Sequence, residues 1–372
     1  METQKDSPES MRLTSSERSL LAVLLHEGAC SRSELTHRTH LSQQSVHRIL
    51  DDLHGRGFVD FAKPSANKRG KPSPTVKLAA GRHASVGISV TTEDVNLALL
   101  DLAGNVLEQG GTGLPPSDPQ NVLEGVSRAL ASWRHDHLKH RSLIGVGVAM
   151  QGYRTGDPEQ FHPPPQLREW QSIPIRKMLA RRFSKPVFLE NNATASVIAE
   201  HYAGAVRDHD CIVYLSFNHG FGGGTFLKGN ALIGERGNAG ELTQMFPDEL
   251  VSNRPALGEL LKRLNARGVE IGSVDELVAR FDPDWPGVDA WIEEVRPQLG
   301  WTLRALKAIL DPGVIVFGGE APGPLRRQLI EATKAEFRQS DPTPNPPLVE
   351  SAIEGDAAHL GAAFLPLQNL VF

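Results

Sequence analysis

With 372 residues, 40% of them hydrophobic, the chain is long enough for two or three domains around a sizeable core. Its two cysteines, Cys30 and Cys211, exclude a disulfide framework and any all-cysteine metal site, and read as small buried hydrophobes. The net charge of −5 is unevenly spread: residues 1–82 carry 13 Lys and Arg against 9 Asp and Glu, the remainder 26 against 35, so a basic head on an acidic body would meet DNA only through the head. No apolar run approaches bilayer-spanning length, and the polar first twelve residues lack a signal-peptide core. Both features predict a cytoplasmic protein with no membrane partner.

After the tail of residues 1–12, Thr14-Ser15-Ser16-Glu17 has the form of an N-cap with an acidic first turn, and Leu20, Leu21, Val23, Leu24 and Leu25 follow as an amphipathic helix stopped near Gly28. A second short helix is predicted over residues 31–38, again with a capping box. Ser42 then caps a third helix, residues 43–54, whose core face is Val46, Ile49, Leu50 and Leu53. Helix, short helix, turn and helix is the helix-turn-helix plan. The outward side carries Ser42, Gln43, Gln44, Ser45, His47 and Arg48, donors and acceptors of a size suited to base edges in a major groove.

Strands predicted over residues 57–61 and 75–78 bracket a basic tip with Lys68, Arg69 and Lys71, placed to contact phosphates or enter a minor groove. A small helical domain with a solvated face, or a solvated loop, would explain either feature singly. Together they predict a winged helix-turn-helix over residues 13–82 whose partner is a double-stranded DNA operator. Gly81-Arg82-His83 reads as the connection to the next domain.

The rest, residues 83–372, contains two similar strand meanders. One runs from 86 to 109 around Ala103-Gly104-Asn105, the other from 212 to 233 around Lys228-Gly229-Asn230. Helices are predicted over 123–137, 175–183, 291–310 and 356–364, with strands over 143–150 and 314–317. Between the meanders lies Val187-Phe188-Leu189-Glu190-Asn191-Asn192-Ala193, an apolar run that ends in polar side chains just where a small-residue helix begins. Such a strand delivers amides and a carboxylate into a cleft at its C-terminal end, where open α/β folds bind ligands. Asn218-His219-Gly220-Phe221-Gly222-Gly223-Gly224 and Gly237-Asn238-Ala239-Gly240-Glu241 supply two further tight turns.

The order and spacing of these pieces resemble the ROK family of bacterial sugar kinases and sugar-responsive repressors over nearly the whole chain. The resemblance implies a two-lobed, actin-like (ribonuclease H-like ATPase) α/β domain behind the winged helix-turn-helix. The smaller lobe would comprise about 83–190 with a C-terminal helix at about 356–372, and the larger lobe about 191–355. It also implies sugar contacts at Asn191, Asn192, Glu241 and Gln244, with Glu259 as a further candidate, a reading favoured over the alternative that Asn191 and Asn192 merely cap the next helix. Gly220, Gly222, Gly223 and Gly224 keep part of a phosphate-loop shape that tight hairpin packing explains as well.

Two departures argue against phosphoryl transfer. The family's kinases position phosphate with an Asp-x-Gly-Gly-Thr loop, where this chain has Ser89-Val90-Thr91-Thr92-Glu93. Their catalytic base is the Asp of a Glu-Asn-Asp-Ala stretch, where this chain has Glu190-Asn191-Asn192-Ala193, and an amide is no proton acceptor near neutral pH. The family's zinc site is missing its ligands too: Gln244 stands at the histidine position, and no cysteine follows before Glu259. The expectation is therefore a repressor with a catalytically inactive, sugar-sensing body that binds a sugar or sugar derivative, acting as a homodimer or higher homo-oligomer without zinc or ATP. The rival is a bifunctional ATP-dependent sugar kinase, and a third reading is a DNA-binding scaffold whose body binds nothing.

Overall fold

A computed structural model describes residues 12–62, 75–156, 160–337 and 342–372. The head begins with α1 (Ser15–Glu27), followed by β1 (Cys30–Ser31), α2 (Arg32–Thr39) and α3 (Gln43–Gly55). Both capping boxes form. Thr14 Oγ1 accepts from the Glu17 N–H (3.3 Å) while Glu17 accepts from the Thr14 N–H (2.6 Å), and Ser31 with Glu34 repeats the arrangement. His40 takes a left-handed conformation (φ 56°) in the turn between α2 and α3, which lets the two helices cross. β2 (Val59–Ala62) and β3 (Thr75–Leu78) pair antiparallel, and β1 adds to β3. Lys68, Arg69 and Lys71, at the expected tip between β2 and β3, lie outside the described residues.

The body starts at β4 (His83–Val90), so His83 belongs to a strand and not to the connection expected there. β5 (Val95–Asp101), β6 (Val106–Gly111), α4 (Pro119–Asp136), β7 (Ser142–Met150), the short pair β8 (Tyr153–Arg154) and β9 (Phe161–His162), α5 (Ile175–Phe183) and β10 (Val187–Asn191) complete the first sheet and its cover. α4 starts before the expected residue 123, because Asp118 caps it and Pro119 fits its first turn. Next come α6 (Asn192–Ala203), β11 (Cys211–Phe217), β12 (Phe221–Leu227), β13 (Asn230–Ala231), α7 (Leu257–Ala266), α8 (Val274–Arg280), α9 (Val288–Leu310), β14 (Val314–Gly318), α10 (Gly323–Lys334), β15 (Leu348–Glu350) and α11 (Ala358–Leu370).

The two sheets have one plan. The first runs β10-β7-β4-β5-β6 and the second β15-β14-β11-β12-β13. In each, an antiparallel meander of three strands is extended by two parallel strands. This is the duplication suggested by the repeated meanders. The central strands β4, β11 and β14 are buried along their whole length, as apolar strands covered on both faces must be. One core fills the outer face of the first sheet under α4 and α5, another that of the second under α7 to α10.

The helices that follow the last strand of each copy, α6 and α11, pack against each other between the sheets. Small residues permit it: Ala149, Ala195, Ala358 and Ala362 form their own buried cluster, and Gly87 and Gly147 sit where any Cβ would strike the backbone of α11. A third core runs without a break from Leu20, Leu50 and Phe58 in the head to Phe364, Leu367 and Val371 at the end of α11. Head and body are further joined where Phe58 stacks on His83 (4.7 Å) and where Arg18 donates to the carbonyls of Asn369 (3.0 Å) and Phe372 (3.3 Å).

Candidate functional site

β10 runs parallel to β7 and ends at Asn191, opposite Met150, so the next residue must turn into α6. Asn191 performs the turn: its Oδ1 accepts from the Ala193 N–H (2.8 Å) as the helix cap, while its Nδ2 donates to the Gly152 carbonyl (2.7 Å) and reaches Glu241 (3.4 Å). Asn192, on the first turn, is 4% exposed. Its amide nitrogen approaches the Ser89 hydroxyl (3.5 Å), and its Oδ1 is buried with no hydrogen-bond partner among the described residues. A buried amide oxygen without a partner costs free energy.

Both asparagines open into a cavity of about 520 Å³ with Glu241, Gly220, Gly222 and Gly223. That is a size suited to one small molecule. Desolvation raises the Glu241 carboxyl to about 7. The cavity also takes in Gln151, Tyr153, His162, Gln166, His219 and Arg254. None of these is among the contacts expected from sequence. Tyr153 and His162 come from the β8–β9 ribbon, Gln151 and His219 from the turns after β7 and β11, and Gln166 and Arg254 from the segments after β9 and before α7, and no local motif ties them together.

The other two expected sugar contacts lie differently. Gln244 is exposed on the adjoining surface beside Met245 and Ile309. Glu259 is buried on α7 and engaged by Arg254 (3.2 Å) and Lys262 (3.1 Å), so it reaches the cavity only through Arg254. The glycine run splits in two. A Cβ on Gly223 would meet Leu242 (2.8 Å), and one on Gly224 would strike the Ala193 carbonyl, so these two serve close packing. Gly220 has open space around it, and Gly222 meets nothing nearer than the Gly240 carbonyl at 3.8 Å, so these two leave the wall of the cavity bare.

Around the cleft, several backbone donors are already engaged within the chain. The Thr91 hydroxyl accepts from the N–H groups of Glu93 (3.2 Å) and Asp94 (3.0 Å), and the Thr92 N–H donates to Gln151 (2.9 Å). Across the cleft, the Gly319 N–H donates to Tyr214 (2.6 Å), the Glu320 N–H to Asn218 (2.8 Å), and the Gly223 N–H to the Gly240 carbonyl (2.8 Å). Desolvation, together with Asp356 and Glu93, holds the Glu320 carboxyl well above the usual carboxylate range. Among the described residues, no three His, Cys, Asp or Glu side chains are grouped to hold a metal ion, and Cys30 and Cys211 are buried far apart in sequence and element.

Arg154 fixes the wall of the site. Its guanidinium pairs with Glu190 (3.2 Å) and donates to the Leu189 carbonyl (2.7 Å), and its backbone exchanges hydrogen bonds with Asn238 (2.7 and 2.9 Å). β8 is thereby tied to the turn that carries Glu241.

On the head, Gln43, Gln44, His47 and Arg48 project from the exposed side of α3, while Val46, Ile49, Leu50 and Leu53 are buried. Ser42 and Ser45 instead hold the start of the helix. The Ser42 hydroxyl accepts from the Ser45 N–H (3.1 Å) as its cap and contacts the Ser45 hydroxyl (2.9 Å). The His47 ring bonds the Gln43 carbonyl (2.9 Å) one turn back.

A two-lobed sheet duplication with a ligand cleft, carried behind a winged helical head, defines the class. The profile of the ROK family matches residues 85–369, and that of the MarR family matches residues 13–70. The chain belongs to the ROK family. It is 25% identical to protein y4fQ of Sinorhizobium fredii over 97% of this chain and 92% of that protein. It is 23% identical to a putative xylose repressor of a Caldicellulosiruptor species over 81% and 82% of the two chains. To the N-acetylglucosamine repressor of Escherichia coli it is 26% identical over 58% and 53%. Among solved structures, a ROK family transcriptional regulator homologous to E. coli Mlc superposes with a TM-score of 0.73, at 20% identity over 98% of this chain and 96% of that one. The ROK hexokinase of Thermus thermophilus superposes with a TM-score of 0.60, at 26% identity over 75% of this chain and 96% of that one. Among the described residues, no helix is long and apolar enough to cross a membrane.

Proposed function

We propose that this chain is a DNA-binding transcriptional repressor whose kinase-like body binds a sugar or sugar derivative without phosphorylating it. The observation that carries the reading is the cleft itself. It keeps the polar lining a polyol needs, with Asn192 offering a buried, unpartnered oxygen, while the phosphate-side donors are spent. The names of the relatives, xylose repressor and N-acetylglucosamine repressor, support a regulator of this kind. Asn191, Asn192 and Glu241 are the proposed sugar contacts. Gln43, Gln44, His47 and Arg48 are proposed to read base edges, with Ser42 and Ser45 fixing the helix that presents them. Lys68, Arg69 and Lys71 are proposed as contacts to the DNA backbone. The protein is proposed to act as a homodimer, since two heads are needed to read a two-fold operator, and to need neither zinc nor ATP.

The sugar acts by binding one arrangement of the lobes more tightly than another. Asn192 opens α6, α6 packs on α11, and α11 ends at the carbonyls held by Arg18 of the head. A change in lobe closure therefore reaches α1 through packed helices.

The test is a selection of genomic fragments by the full chain, with and without a mixed sugar pool. Discrete fragments whose recovery changes with sugar support the reading. Absence of enrichment over bulk DNA refutes it. The kinase reading, favoured by the likeness to the hexokinase, predicts ATP turnover with some sugar in a coupled assay. On the present reading, neither the chain nor its Asn192→Asp variant turns over ATP, because restoring a base leaves the phosphate side blocked.

A further inference from the structure

A second cavity, of about 750 Å³, opens where the head meets the body, away from the cleft that holds Asn192. The head contributes Arg18 and Arg38 to its walls, and the body contributes Arg207 and Lys228. Against these four cations the lining holds one carboxylate, Glu27, which pairs with Arg38 (3.0 Å) and lies 3.6 Å from His26. Asp208, at the rim, lies 3.7 Å from the other nitrogen of His26. Among the described residues Arg207 donates only to the Tyr202 carbonyl (3.2 Å), which leaves its charge uncancelled, whereas Arg18 donates to main-chain oxygens of Asn369 and Phe372. Like charges brought together from two domains repel unless an anion comes between them.

The floor is aromatic. His201 stacks on Phe226 (4.0 Å, 21° between planes), and Tyr202 stacks on Phe364 (4.9 Å). His201 Nδ1 is buried without a hydrogen-bond partner among the described residues, and burial lowers the ring to about 4, so it stands as a neutral imidazole. The crevice thus offers a concave box with cations from both walls and an aromatic floor in which the His201 and Tyr202 rings meet edge to face, 73° between planes. DNA would be met by cations along an open surface. A crevice of this size, closed on two sides, suits a small molecule.

We propose that this crevice is a second ligand site, for a small phosphomonoester whose compact ring rests on the aromatic floor, and that its phosphate draws the cations of head and body together. A ligand held by both domains stabilises one orientation of the head on the body and would act alongside the sugar cleft.

The test is calorimetric titration of the full chain with phenyl phosphate and with inorganic phosphate, ionic strength being held constant with sodium chloride. Phenyl phosphate is expected to bind saturably and roughly tenfold tighter than inorganic phosphate, since only the former covers the floor. Arg207→Glu with Lys228→Glu is expected to weaken it at least tenfold, on the order of 1.4 kcal/mol. Arg207→Gln with Lys228→Gln, a milder pair at the surface, repeats the test if the charge reversal disturbs folding. The proposal is overturned if neither phosphate binds saturably, or if the Gln pair binds as the parent does. It is also overturned if nonspecific duplex DNA displaces phenyl phosphate and loses affinity in the same variants, since the crevice would then be part of the DNA track.

Discussion

Gly361 lies against the carbonyl oxygen of Ala195 so closely that a side-chain carbon on the glycine would fall on the oxygen. One residue is on α11, which packs on the first sheet, and the other is on α6, which packs on the second. The contact is therefore where the lobes meet, helix backbone to helix backbone, with no side chain available to yield. Gly361→Val is expected to destabilise the chain by about 3 kcal/mol, the upper part of the usual overpacking range. Gly110→Ala, at a strand glycine with nothing within 4 Å, is expected to be near neutral. Urea unfolding of the two variants beside the parent gives the comparison, and equal midpoints would remove the interface from this role.

The same helix ends on the head. Arg18 holds two carbonyls at the end of α11, one of them on the last residue of the chain. Arg18→Ala removes these bonds but leaves the shared apolar core, so the loss of stability is expected to be about 1 kcal/mol. The larger effect is expected on coupling: affinity for a selected DNA fragment should persist while its response to sugar shrinks severalfold. Binding titrations with and without the releasing sugar measure this. A full sugar response in the variant would mean that lobe movement reaches the head by another route.

Glu241 gives the cleft a pH signature. Its carboxyl is raised to about 7 by desolvation, so in the free protein it is largely protonated below that pH. A raised carboxyl binds more protons folded than unfolded, so its contribution to stability falls as pH rises from the ordinary carboxylate value towards 7. Sugar hydroxyls donate best to the ionised form. Sugar affinity is therefore expected to rise through pH 7, and Glu241→Gln is expected to flatten the dependence. Calorimetric titrations at pH 6 and pH 8, on the order of one unit either side of the shifted value, decide it.

The sequence makes the head almost fully legible, because caps and periodicity are local. Thr14, Ser31 and Ser42 each cap the helix their spacing predicts. The doubled meander is legible too, since two apolar runs around glycine turns recur in one order. What escapes is whatever depends on how distant loops converge. Arg254 lines the cavity from the segment before α7, and Tyr153 and His162 line it from a two-strand ribbon. Nothing in the order of residues brings these together. Gln244 shows the reverse limit: it holds an aligned position three residues after Glu241, yet the short 3₁₀ turn there directs it to the surface. Gly220 and Gly224 look alike in sequence and differ only in what a Cβ would meet.

Arg154 and Glu190 form an ion pair with each side chain about one-tenth exposed, beside the sugar contacts. Breaking a buried pair leaves the remaining charge without compensation, at about 3–5 kcal/mol. Arg154→Met is therefore expected to lower stability strongly and to loosen the Asn238 turn that presents Glu241, whereas Arg154→Lys should retain part of the pairing. Thermal unfolding ranks the three proteins, and a Met variant as stable as the parent would show the pair to be dispensable.

On α3 two kinds of residue sit on the same exposed face, and they should fail differently. Ser42 caps the helix, so Ser42→Ala is expected to cost about 1 kcal/mol of stability. That loss should weaken binding to every DNA sequence alike by loosening the helix. Arg48 makes no cap and projects to solvent, so Arg48→Ala is expected to leave the melting temperature unchanged. If Arg48 reads a base, its loss costs about 1–3 kcal/mol at the selected site and little on bulk DNA, with the salt slope kept. If it only holds a phosphate, affinity falls on all sequences and the salt slope drops by about one. Binding isotherms at several salt concentrations, on a selected fragment and on bulk DNA, separate these outcomes. A variant unchanged on both would take Arg48 out of the DNA interface and leave the reading to Gln43, Gln44 and His47.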